Sequence, residues 1–250
     1  MNVVNWLPRY VRAQKSFFDL PAGARVLDVA CGEGDMARFL AGRGAKVWAG
    51  DLSVSEMRKG SARNQHPQMA FVGANACRLP FADESFDWIV SFDTLEVIPD
   101  DSPVYGEFDR VLKRGGVLLV TVPTHPPNAG HLFASQRALR RWLPRWLYSQ
   151  SRDAKTGRSW LESRREDLVY FRSYTAAGLQ ERFAKMQLVE HDYVLKQFGA
   201  LAMDLAYGFR GLQRLGLKPY LYWLGSRLDA VFCRGASHEG YTVMVKFRKS

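Results

Sequence analysis

Residues 26–51, VLDVACGEGDMARFLAGRGAKVWAGD, decide the fold. Val26, Leu27 and Val29 make a short apolar strand, Gly32 and Gly34 turn the chain, and Met36, Phe39 and Leu40 follow at helical spacing. Residues 46–50 return as a second strand with Asp51 at its carboxyl end. Such a βαβ unit has parallel strands, a right-handed connection and a ligand crevice at the carboxyl edge of the sheet. A carboxylate at that edge is placed to hold the hydroxyls of a ribose.

The spacing Gly32-x-Gly34-x-x-Ala37 also fits a dinucleotide fingerprint. Charge points elsewhere. A pyrophosphate over the helix N-terminus would meet Glu33 and Asp35, with Asp28 just before the turn, and three carboxylates repel a dianion. S-adenosylmethionine carries no phosphate, and its methionine end bears a cationic ammonium and sulfonium that suit an acidic turn. Backbone N–H groups near Gly32 and Gly34 are expected to meet its single carboxylate. The bland alternative for Asp28, Glu33 and Asp35 is a helix cap and solvated surface charge.

Three later segments keep the same order. Residues 71–86, FVGANACRLPFADESF, read as a third strand and a turn; residues 86–92, FDWIVSF, read as a buried parallel strand followed by Asp93, Thr94 and Leu95. Residues 115–123, GGVLLVTVP, read as a fifth strand after a helix holding Phe108, Val111 and Leu112. Each is weak alone, and together they resemble the class I S-adenosylmethionine-dependent methyltransferases, in particular the small-molecule, lipid and glycan subgroup. The resemblance covers about half the chain. It implies S-adenosylmethionine as cofactor, held by Asp28, Ala30, Gly32, Gly34, Asp51, Leu52, Asn75, Ala76 and Phe92, with Tyr10 on a leading helix that also carries Phe17 and Phe18. The subgroup usually has an acidic residue where Asn75 stands, and an amide oxygen still accepts a hydrogen bond from an adenine amino group.

At 250 residues and 47% hydrophobic content the chain suits one elaborated domain. Cys31, Cys77 and Cys233 lie far apart, with no paired or zinc-type spacing, so reduced thiols and a cytoplasmic protein are expected. Cys31 reads as a small space-filler in an acidic setting that raises a thiol's pKa. No basic-then-apolar leader and no long uncharged run is present, so neither secretion nor a spanning helix is expected. The net charge of +10 is uneven. Residues 1–130 hold 14 Lys and Arg against 15 Asp and Glu, whereas residues 131–250 hold 21 against 10.

Residues 131–149 place Leu132, Leu139, Trp142, Leu143, Trp146 and Leu147 on one helical face and Arg137, Arg141 and Arg145 opposite, with Pro144 interrupting. Residues 174–183 show a Thr N-cap pattern, and residues 188–195 and 241–248 read as the last two strands, an antiparallel hairpin in the resembled family. Between them lies an apolar, aromatic and basic helical hairpin at about 197–235. Such helices suit an anionic membrane interface, and a substrate lid or dimer surface is an equal alternative. The chain therefore divides into a cofactor-binding core (1–130), a basic amphipathic segment over the acceptor side (131–187) and an interrupted strand hairpin (188–250). The expected fold is α/β: a Rossmann-like seven-stranded mixed sheet, last strand antiparallel, with helices on both faces and an added helical cap.

Methyl transfer is an in-line displacement that needs alignment and exclusion of water. A hydroxyl acceptor benefits from a general base. The resembled subgroup often has a histidine directly after Leu95-Glu96, where this chain has Val97-Ile98-Pro99. His125, held by Pro126-Pro127 after the fifth strand, is the substitute and His131 a poorer second choice, while Asp93, also a catalytic candidate, and Glu96 are alternatives for holding the methionine end or the acceptor. No metal is implied. The sequence after the fourth strand lacks the Asn/Asp-Pro-Pro-aromatic segment of amino-directed nucleic-acid enzymes, which disfavours nucleic acid. The expectation is methylation, on oxygen, of a small molecule, lipid or lipid-linked sugar, at the inner face of a membrane if the basic helices touch lipid. An RNA methyltransferase and a non-catalytic cofactor-binding protein are the alternatives. Oligomeric state is not legible.

Overall fold

The computed structural model describes residues 15–124, 172–194, 220–221, 224–225, 227–228 and 242–250. Within these residues, seven strands form one sheet in the order β3-β2-β1-β4-β5-β7-β6. The strands are β1 (Arg25–Val29), β2 (Lys46–Asp51), β3 (Met69–Gly73), β4 (Phe86–Phe92), β5 (Leu112–Pro123), β6 (Met186–Val194) and β7 (Thr242–Lys249). The described helices are α1 (Asp35–Ala41), α2 (Val54–Arg63), α3 (Ser102–Val111) and α4 (Ala176–Arg182). β3, β2, β1, β4 and β5 run parallel, and β7 is antiparallel to both β5 and β6. The expected mixed sheet with its reversed last strand is what forms.

The order of connections reverses between β1 and β4. After β1 the chain steps outward to β2 and β3; it then returns to pair β4 on the other side of β1. Open α/β sheets bind ligands outside the carboxyl ends of their strands at this kind of reversal. Ala30, which follows β1, and Asp93, which follows β4, therefore flank the crevice.

Two cores hold the sheet. Leu27, Val29, Ile89, Leu118 and Val120 pack one face against Val104 and Phe108 of α3 and Leu179 of α4. Val26, Val47, Trp88, Val90 and Leu119 pack the other against Met36, Ala37 and Leu40 of α1. Each fully buried Leu, Ile or Phe here stabilises the fold by about 1.5–3 kcal/mol. Phe17 and Phe18, in a short 3-10 turn at Lys15–Phe18, are buried in this second core, and the Phe18 ring stands edge-on to Phe39 at 5.7 Å. Both are core residues; the leading helix proposed around Tyr10 lies outside the described residues.

Several strand ends differ from the sequence reading, among them β3, which starts at Met69 and not at Phe71. β5 starts at Leu112, three residues before the expected Gly115, because Phe86 pairs Leu112 across a register shift before Trp88 meets Val117. β6 and β7 are displaced by one or two residues. β7 is interior, so residues of both its faces are buried, and Lys246 lies over the Trp88 ring at 5.3 Å.

Candidate functional site

The turn after β1 alternates unusual backbone conformations. Ala30, Gly32 and Gly34 have φ of 58°, 55° and 78°. At Gly34 a Cβ would stand 2.6 Å from Met69 Cε and 2.7 Å from Phe71 Cζ, so a side chain there would displace both in addition to the backbone strain. At Gly32 the same atom would meet nothing within 4 Å among the described residues. Gly60 of α2 lets that helix press on the turn, with a would-be Cβ only 2.3 Å from the Glu33 carbonyl oxygen.

Asp51 locks this turn to β2. Its Oδ2 accepts the Gly32 N–H at 2.8 Å, and its Oδ1 accepts the Ser53 N–H at 2.7 Å. A carboxylate has about four acceptor positions, so one lone pair on each oxygen is left for a vicinal diol. Leu52 and Val54, 71% and 57% exposed, add apolar surface at the same edge.

The acidic turn works differently from the sequence reading. Asp28 does not line the mouth: it is 2% exposed, on the α1 face of β1, where the Ala37 N–H hydrogen bonds its carboxyl. Burial first, and then the charges of Asp51 and Asp35, push its pKa up to about 8 against the lowering effect of that bond. Its Oδ2 has no hydrogen-bond partner among the described residues. Glu33 is drawn off by Arg63 at 2.8 Å, and Asp35 accepts from the Asn64 amide at 2.7 Å. The Gly32 and Gly34 N–H groups expected to meet a ligand carboxylate are engaged within the protein, on Asp51 and on the Cys31 carbonyl.

The preference against a pyrophosphate survives with a new cause. The N–H that a phosphate would take at Gly32 is already held by an anion. Burial and then the charges of Asp28 and Asp51 push the Cys31 thiol up, which agrees with a packing role.

The loop after β3 lies against Asp51, whose carbonyl accepts the Ala74 N–H at 3.0 Å. Ala74 and Ala76 are buried and Asn75 is exposed. The Asn75 Oδ1 accepts the Cys77 N–H at 2.9 Å, so the amide shapes its own turn and has one lone pair left for a ligand. Asp93 follows β4 with φ 51°. Thr121 of β5 fixes it: the Asp93 N–H donates to the Thr121 carbonyl at 3.0 Å, and the Thr121 hydroxyl donates to Asp93 Oδ1 at 3.0 Å. A non-glycine residue in the left-handed region is strained by about 1–3 kcal/mol and is held there by its surroundings. Phe92, before it, packs on Phe18 at 6.4 Å. Glu96 is buried.

Ala30, Gly32, Asp51, Leu52, Asn75, Ala76, Phe92 and Asp93 thus sit at strand ends on one edge of the sheet. Tyr10, His125, His131, the 131–149 amphipathic stretch and most of the 197–235 hairpin lie outside the described residues. Sequence reasoning missed the buried carboxylate Asp101, on which Arg172, Tyr174, Tyr105 and Arg182 converge. Its only local signal, an acid before Ser102-Pro103, reads as an ordinary helix cap.

Comparison with known proteins bears on family and fold. Residues 27–120 match the family described as a methyltransferase domain. A demethylmenaquinone methyltransferase of Renibacterium salmoninarum is 38% identical over 122 residues, 49% of this chain and 51% of that protein. The chain spans about half the length of the curated relatives it matches. In fold it is similar to an S-adenosylmethionine-dependent methyltransferase of Mesorhizobium loti, with a TM-score of 0.58 and 17% identity over 95% of this chain and 98% of that one. It is also similar to the cyclase SpnF, with a TM-score of 0.57 and 20% identity over 95% and 80%. The resemblance to class I methyltransferases holds in sequence over residues 27–120 and in fold across the sheet.

Proposed function

We propose that this chain, which carries a methyltransferase-family domain over residues 27–120, transfers a methyl group from S-adenosylmethionine to a small-molecule, lipid or lipid-linked acceptor. The observation that carries the reading is the Asp51 carboxylate, fixed by the Gly32 and Ser53 N–H groups at the reversal of the sheet. Asp51 holds ribose hydroxyls, Leu52 and the Asn75-Ala76 turn hold the base, and Gly32 leaves room for close approach. The chemistry supplied by the group when bound is an electrophilic methyl on sulfonium sulfur. Asp93, oriented by Thr121, faces the acceptor side and takes the proton of a hydroxyl acceptor, alone or with His125. Methylation on oxygen is proposed on this ground.

The name of the Renibacterium relative supports a lipid-like acceptor. The basic second half supports contact with an anionic membrane surface from the cytoplasmic side. No described helix is long and apolar enough to cross a membrane. The same fold serves a cyclase, so a non-methylating reading stands as the competitor.

Incubation with methyl-labelled S-adenosylmethionine and a total cell extract, followed by solvent partition, decides between them. Label in the organic or small-molecule aqueous phase is expected, and mass analysis of the product identifies the methylated atom. Label in RNA, or cofactor binding with no labelled product, contradicts the proposal.

A further inference from the structure

Asp101 immediately precedes α3, where an aspartate ordinarily caps the helix, yet it makes no side-chain cap bond. Asp101 is 3% exposed, and its carboxylate is taken by Tyr105 of α3 and by three residues far along the chain. Arg172 donates to Oδ1 at 2.6 Å, the Tyr174 hydroxyl donates to Oδ2 at 2.9 Å, Tyr105 donates to Oδ2, and Arg182 approaches both oxygens at 3.4 Å. Arg182 also lies over the Tyr105 and Tyr174 rings.

These donors stitch two segments together. The Arg172 backbone N–H donates to the Glu96 carbonyl at 3.3 Å, and its guanidinium also reaches the Pro99 carbonyl. Tyr174 lies within reach of the Leu95 carbonyl at 3.0 Å, and its N–H donates to the Pro123 carbonyl, at the carboxyl end of β5, at 2.9 Å. All of these contacts fall on the edge of the sheet that carries the crevice, on the β4–β5 side opposite Gly32 and Asp51. The bound stretch, 95–101, begins two residues after Asp93.

Only the carboxylate of these pairs is buried, the two guanidinium groups being partly exposed, and the desolvation of that carboxylate offsets the attraction; the better-attested use of such a group is to specify one arrangement. Burial, then Asp101 itself, pushes both phenols up, so they remain O–H donors across the neutral range. We propose that Asp101 is a positioning residue of the acceptor wall: through Arg172 and Tyr174 it fixes the turn after β4 against the end of β5, and so sets where the acceptor lies relative to Asp93. The proposal rests on the methyltransferase reading for its catalytic readout alone.

Asp101→Asn keeps the shape and removes the charge; Tyr174→Phe removes one donor and Arg172→Lys retains a cation. Adenosylhomocysteine binding, measured calorimetrically, is expected to stay within about twofold of the parent in all three. Label transfer to a total lipid extract is expected to fall at least about tenfold in Asp101→Asn, carried by a raised KM for extract, with Arg172→Lys milder. Amide exchange at Val97, Ile98 and Tyr174 should quicken about tenfold or more while β1 and β2 are unchanged.

Unchanged transfer and exchange in folded Asp101→Asn overturns the proposal. So does loss of cofactor affinity in step with melting temperature, which marks a merely structural role. If the parent protein itself transfers no label, the methyltransferase reading fails separately, and the exchange at those three amides then decides whether Asp101 fixes the turn after β4.

Discussion

Cofactor recognition as proposed turns on Asp51, whose one carboxylate holds the Gly32 and Ser53 N–H groups and is assigned the ribose hydroxyls. Replacement by Asn substitutes an NH2 group for one acceptor oxygen and faces it toward a backbone N–H, at either Gly32 or Ser53. Each charge-assisted bond lost is worth about 1.5–3 kcal/mol, so adenosylhomocysteine affinity should fall about 10- to 100-fold in Asp51→Asn by calorimetry. Affinity within twofold of the parent contradicts the assigned role.

Asp28 gives a second test at this scale. Its pKa stands at about 8 in the folded chain against 3.8 for the unperturbed group, because burial penalises its charge. The folded state therefore retains a proton that the unfolded chain has released, and stability contributed here declines as pH rises from about 4 to about 8. Asp28→Asn removes that titration. Its melting temperature should exceed the parent's by a margin that widens from about pH 5 to about pH 8; a margin independent of pH contradicts the assignment.

At the scale of elements, the contact between α2 and the glycine turn is the tightest that shapes the site. Gly60→Ala drives a methyl group into the Glu33 carbonyl and the Phe71 ring, both fixed by their own elements. Overpacking of this kind costs about 1–3 kcal/mol, and each kcal/mol lowers the melting temperature of a chain this size by about 2–4 °C. Thermal unfolding that matches the parent contradicts this packing.

The elements themselves were largely legible. β1, β2 and β4 announce themselves as apolar runs, and Thr175 caps α4 as its position suggests, accepting the Gly178 N–H at 3.0 Å. The sequence reading begins β5 at Gly115 and places Leu112 in the preceding helix, whereas the pairing of Leu112 with Phe86 of β4 makes it strand. That acids cluster near the glycine turn is legible in the sequence; the bonds each acid makes are not. Asp28, Glu33 and Asp35 read alike as acids near a turn, and only tertiary packing buries one, pairs one with Arg63 and gives one to Asn64. Asp101 meets residues more than 70 positions away, a relation that no local pattern encodes.

At the scale of the whole molecule, charge and chemistry divide along the chain. The near-neutral first 130 residues carry the crevice, and the strongly basic remainder supplies β6, β7 and the sequence between β5 and β7. If that basic half meets lipid, the protein should float with anionic phospholipid vesicles at low salt and be released near about 0.5 M salt, where screening is short-ranged. No flotation at low salt removes the membrane proposal and leaves the cofactor site untouched.

The account turns on which nucleoside ligand the crevice selects. Titration calorimetry with S-adenosylmethionine, adenosylhomocysteine, NAD and NADP measures that selection directly. Binding of the first two and none of the dinucleotides is predicted, since Asp51 already occupies the Gly32 N–H that a pyrophosphate needs. Uptake of NAD or NADP with no response to either adenosyl compound contradicts it.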